Sequence, residues 1–214
     1  MYNSFMQLAN FFSMNRLVLA PVFFLLYFLP DAVPAFTVPS VYILAPLFLY
    51  MEFTDFLDGF CARKYNMVSD FGKLFDPFAD VLTNLTVFFT FAVSGYLPPF
   101  FFVLVLFREM SMQFVRMLAM RNGVVIAARM AGKVKTVVYI VAAGFSLLIE
   151  SLVRLNSAYA FLSEETFEPL RNVLGAVNIC LYALAVILSV TSFLNYLRLF
   201  RSALKQPLPE NGRP

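Results

Sequence analysis

Histidine is missing from all 214 residues of this sequence, and so is tryptophan. Without histidine there is no imidazole base, no Ser-His triad, no His-ligated zinc and no imidazole pH switch. Without tryptophan, an aromatic belt at a membrane surface falls to the 10 tyrosines. The two cysteines, Cys61 and Cys180, lie far apart, match no zinc-binding spacing and suggest no disulfide framework; they read as small apolar fillers. Charge is scarce too, at 14% of residues against about 25% in soluble domains. Chemistry is left to Asp, Glu, Lys, Arg, Tyr and Ser, and to any bound metal.

What fills the chain instead is apolar: 61% of residues, 27 of them phenylalanine. A soluble fold of this size could not hide that surface, so lipid has to be part of the solvent. A helical span needs about 20 mostly apolar residues. Six are placed, at 12–29, 38–59, 73–94, 99–119, 133–152 and 173–196. Pro30-Asp31, Gly95 with Pro98-Pro99, and Asn122-Gly123 punctuate them. The expected fold is therefore all-α: a polytopic membrane protein with six transmembrane helices. The first 11 residues suit a short interfacial helix with Phe5, Leu8 and Phe12 toward lipid. No basic n-region or small-residue cleavage site precedes the first span, which is expected to be permanent. Residues 156–171, with Glu164, Glu165 and Glu168, read as an external loop. Residues 1–205 form one membrane domain in this reading, and 206–214 a disordered tail.

Six spans put both termini on one side of the membrane. Of the 16 Lys and Arg residues, all but Arg154 and Arg171 fall on the side of the termini, which the positive-inside rule makes cytoplasmic. The expected location is the cell (inner) membrane, multi-pass. These cations flank spans rather than coat a soluble domain, so anionic lipid, and not nucleic acid, is the expected partner.

Carboxylates appear where they are costly. Asp55, Asp58, Asp76 and Asp80 lie at or within the ends of spans two and three, where a charge costs roughly 2.5–3.5 kcal/mol at the span centre. Asp55 and Asp58 are i,i+3 and Asp76 and Asp80 are i,i+4, so each pair shares a helical face. A cytoplasmic hairpin at Phe60–Gly72 would bring the two helices side by side and gather all four. Asp70, in that hairpin, reads as a solvated cap. Unpaired, the four would repel one another, and divalent cations relieve this; all-oxygen ligation favours Mg²⁺ or Mn²⁺. Spacing alone leaves a metal enzyme and an ion transporter equally open.

The full string shifts that balance toward the enzyme. Residues 55–80 read DFLDGFCARKYNMVSDFGKLFDPFAD, that is D-x2-D-G-x2-A-R-x8-G-x3-D-x3-D, with Asp55, Asp58, Gly59, Ala62, Arg63, Gly72, Asp76 and Asp80 filling every fixed position. This resembles the motif of the CDP-alcohol phosphatidyltransferases. Gly59, Ala62 and Gly72 give a nucleotide room to approach the backbone, and Arg63 has a planar fork suited to phosphate. The likeness extends over residues 8–140. Asn10, Ser13, Arg16 and Pro21 resemble the opening of the branch that uses CDP-diacylglycerol and glycerol 3-phosphate. So do Arg108, Glu109 and Arg116, and the blocks Gly123–Ala128 and Gly132–Thr136. Ala9 stands where proline is usual, and Val81 where lysine is.

The resemblance implies a six-helix fold, often a homodimer, with CDP-diacylglycerol as donor, glycerol 3-phosphate as acceptor and CMP as leaving product. Two Mg²⁺ or Mn²⁺ ions would be held by Asp55, Asp58 and Asp76 with Asp80 at the edge, and Asp80 would be the general base. Arg108, Arg116, Lys133 and Lys135 cluster at the cytoplasmic ends of spans four and five, either as the positive-inside rule requires or as a pocket for the acceptor phosphate. Inositol phosphate remains a rival acceptor, then diacylglycerol with a CDP-alcohol donor, and more distantly ion transport.

Overall fold

In a computed structural model, the backbone is described over residues 2–65, 70–121 and 130–205, and the side chains over 13–54, 75–119 and 134–198. Every element among them is helical, as lipid demands of a chain that must satisfy its backbone polar groups internally. The helices are α1 (Tyr2–Ala32), α2 (Thr37–Tyr65), α3 (Asp70–Val93), α4 (Pro99–Arg121), α5 (Met130–Tyr159) and α6 (Glu164–Lys205), with a 3₁₀ turn at Pro34–Phe36. Segments Ser13–Ala32, Pro34–Thr54, Val134–Tyr159 and Glu164–Arg198 are long and apolar enough to cross a membrane. Helix α3 carries Asp70, Lys73, Asp76 and Asp80, and α4 carries Arg108, Glu109, Arg116 and Arg121.

Each helix packs on two others to close a ring, in the order α1, α2, α5, α6, α4, α3 and back to α1, with α3 also touching α5 across the middle. Among the described residues α1 packs on both α2 and α3, and the meeting of α2 with α3 expected at Phe60–Gly72 lies outside them. One expectation is corrected: the connection is shorter than Phe60–Gly72, because α2 continues to Tyr65 and α3 begins at Asp70. The first 11 residues are continuous with the first span, since α1 runs unbroken from Tyr2. The tail 206–214 lies outside the described residues.

A second correction concerns 156–171. Only Ala160–Ser163 is non-helical there. Glu164 and Glu165 fall in the first turn of α6, where the helix dipole favours negative charge. On the other side, Asn156 turns the chain: its carbonyl accepts from the Ala160 amide at 2.8 Å and its Oδ1 from the Leu162 amide at 2.9 Å. Ala160 takes a left-handed conformation, φ 47°, to allow this. The α3–α4 corner uses Gly95 in the same region, φ 84°, and the Leu97 amide reaches back to the Phe91 carbonyl at 2.9 Å.

Aromatic rings fill the middle. Phe23 of α1 meets Phe48 of α2 and Phe91 of α3, and Phe88 of α3 meets Tyr139 of α5 and Tyr182 of α6. This layer separates two polar ones. At the end bearing the α3–α4 corner, Arg154 is buried and donates to Glu150 Oε1 (2.6 Å), Ser40 Oγ (2.6 Å) and the Tyr27 carbonyl (2.7 Å). Tyr96 donates to Glu150 Oε2 at 2.7 Å; burial, then the Glu150 carboxylate, pushes its phenol pKa up. Asn178 of α6 donates to the Tyr96 carbonyl at 2.9 Å. The other polar layer, roughly 22 Å away along α5, holds Asp76 and Asp80.

Candidate active site

Asp76 and Asp80 lie one turn apart on α3, and α1 supplies what grips them. Ser13 Oγ donates to Asp76 Oδ1 at 2.8 Å. Arg16, with its side chain only 2% exposed, brings Nη1 to 3.7 Å from Asp80 Oδ1; the Asp80 side chain keeps 38% exposure, so it stays accessible. Asn84, one turn further along α3, donates to the same Oδ1 at 3.0 Å. Gln113 of α4 donates to the Pro77 carbonyl at 2.6 Å, pinning α4 to the stretch between the two aspartates. Ser13 and Arg16 had only a pattern likeness to mark them, and Asn84 and Gln113 had no signal, because their partners lie on other helices or within one turn of polar sequence.

Asp55, Asp58, Gly59, Ala62 and Arg63 fall on α2, and Gly72 on α3, with side chains outside the described residues. Lys133 falls on α5 under the same limit. Of the remaining candidate cations, Arg116 is half-buried on α4. Arg108 and Lys135 are brought together: Arg108 Nη1 lies 2.7 Å from Glu109 Oε2, and Lys135 Nζ 2.6 Å from Glu109 Oε1. Lys135 is also within electrostatic reach of Asp80. One end of the ring thus joins carboxylates on α3 to cations on α4 and α5.

The donor chemistry fits a hard divalent cation. The fixed positions of the motif offer carboxylate oxygens and no thiolate or imidazole donor. The Ser13 hydrogen bond to Asp76 is of the kind that orients a ligating carboxylate from outside.

An all-helical membrane fold with carboxylates and cations gathered at one end acquires a class from its sequence: the profile of the CDP-alcohol phosphatidyltransferase family matches residues 6–200, so the chain belongs to that family of enzymes. It is 40% identical over 207 residues to the CDP-diacylglycerol–glycerol-3-phosphate 3-phosphatidyltransferase of Treponema pallidum, covering 94% of this chain and 92% of that one. The protein of the same name from Bacillus subtilis is 31% identical over 148 residues, 66% of this chain and 77% of its own length.

Proposed function

We propose that this chain transfers the phosphatidyl group of CDP-diacylglycerol to glycerol 3-phosphate, yielding phosphatidylglycerophosphate and CMP. The observation that carries this reading is the near full-length match to a relative bearing that activity in its name, with every motif position filled here. An acceptor hydroxyl attacks the phosphorus next to the diacylglycerol; the new P–O bond forms as the bond to CMP breaks. Asp80, held by Arg16 and Asn84 yet accessible, takes the hydroxyl proton. Asp55, Asp58, Asp76 and Asp80 would hold two Mg²⁺ or Mn²⁺ ions. Bound there, the cations supply positive charge for the pyrophosphate and the departing CMP. Gly59, Ala62, Gly72 and Arg63 receive the nucleotide. Arg108, Arg116, Lys133 and Lys135 receive the acceptor phosphate, which a zwitterionic acceptor would not need.

The same reading places six spans in the inner membrane, α3 and α4 included, with α1 beginning in the interface. The termini and the site face the cytoplasm, residues 1–205 form one domain, and two copies pair as a homodimer. Direct displacement has a stereochemical test. A donor chiral at phosphorus should give product of inverted configuration, and retention would rule the single step out.

A further inference from the structure

Arg108 and Lys135 meet on a residue that the proposed reaction leaves without a role. Glu109 of α4 is buried, and each of its carboxylate oxygens accepts from one of the two cations. The Tyr139 hydroxyl lies 3.2 Å from Glu109 Oε1, and the Tyr139 ring sits 4.6 Å from the Lys135 ammonium. Arg108 Nε donates to the Ser189 carbonyl of α6 at 3.2 Å, and Tyr139 also reaches Ser189 Oγ at 2.7 Å. The cluster therefore locks α4, α5 and α6 around one carboxylate.

Its charge does not sum to zero. Within the cluster two cations on one carboxylate leave one positive charge over, and the further carboxylate within electrostatic reach of Lys135 is Asp80 of the candidate site. A cluster built only to join helices would gain by balancing it, as Glu150 and Arg154 do at the opposite end. Lys135 also spends just one of its three N–H donors in a hydrogen bond among the described residues. Its long stem would otherwise sample many rotamers, and Glu109 removes that freedom before any ligand arrives.

We infer that Glu109 is a positioning residue for the acceptor: it sets the Lys135 ammonium and the Arg108 guanidinium so that their surplus charge and unspent donors meet the phosphate of glycerol 3-phosphate. The inference rests on the proposed reaction. Glu109 touches no substrate and acts through the two cations.

The test measures KM for both substrates with the full-length protein in lipid–detergent micelles, using E109Q, E109D, K135M and E109Q/K135M. E109Q should raise KM for glycerol 3-phosphate about tenfold or more, the scale of one lost charge-assisted hydrogen bond, with KM for CDP-diacylglycerol unchanged. E109D keeps the charge one methylene short and should fall between. The double mutant should show less than the product of the single effects, because both substitutions break one device. An unchanged KM for glycerol 3-phosphate in E109Q, parallel rises for both substrates, or a double effect equal to the product would each overturn the inference. If E109Q fails to melt cooperatively, the KM split in E109D decides by the same criterion. Wild-type turnover is read first: no CMP release with glycerol 3-phosphate would remove the acceptor reading itself, whatever the variants do.

Discussion

Ser13 shows how a single hydroxyl can matter at a site it does not catalyse. Its hydrogen bond fixes one oxygen of Asp76, and losing such an outer partner typically lowers metal affinity or activity about 10–100-fold. Ser13→Ala should therefore raise the Mg²⁺ concentration needed for half-maximal turnover on that scale, while maximal turnover at saturating Mg²⁺ changes less. On the proposed metal site Asp76→Asn would remove a ligand charge, and it should lower turnover by about 10²-fold or more at any Mg²⁺ concentration, with cooperative melting retained. Near-normal turnover in Asp76→Asn would break the assignment. The aspartates stand out in the sequence because a carboxylate amid apolar residues needs a reason. Ser13 was not legible as their partner: it lies 63 residues from Asp76, and no spacing rule links positions on different helices.

At the scale of elements, helix ends carry the testable consequences. Ala160 occupies a left-handed conformation that costs a Cβ-bearing residue roughly 1–2 kcal/mol. Ala160→Gly should raise the melting temperature in detergent and leave turnover alone; a lower melting temperature would contradict the left-handed turn at Ala160. Glu164, Glu165 and Glu168 read as a loop while the chain makes a helix there, because acidic residues suit a helix start as well as a loop. Helices were otherwise legible, because lipid leaves a long apolar run almost no other structure. Their neighbours were not. Both faces of a lipid-embedded helix are apolar, so periodicity does not say that α1 lies against α3.

The whole molecule is a ring held at both ends by polar clusters and filled between them by aromatic rings. The cluster of Glu150 and Arg154 has no part in the proposed chemistry and should govern stability alone. Arg154→Ala strands Glu150 and should cost about 3–5 kcal/mol, whereas Glu150→Leu with Arg154→Met should recover most of it. Thermal melts of the three proteins check this, and equal losses in the single and double variants would contradict it. Because the aspartate site lies about 22 Å away, the double variant should keep wild-type KM for both substrates. The most direct test of the central assignment is CMP release by the purified protein with CDP-diacylglycerol, Mg²⁺ or Mn²⁺, and a panel of acceptors. Glycerol 3-phosphate should support metal-dependent CMP release with stoichiometric phosphatidylglycerophosphate, and inositol phosphate should not; equal release with both, or none with glycerol 3-phosphate, would contradict the account.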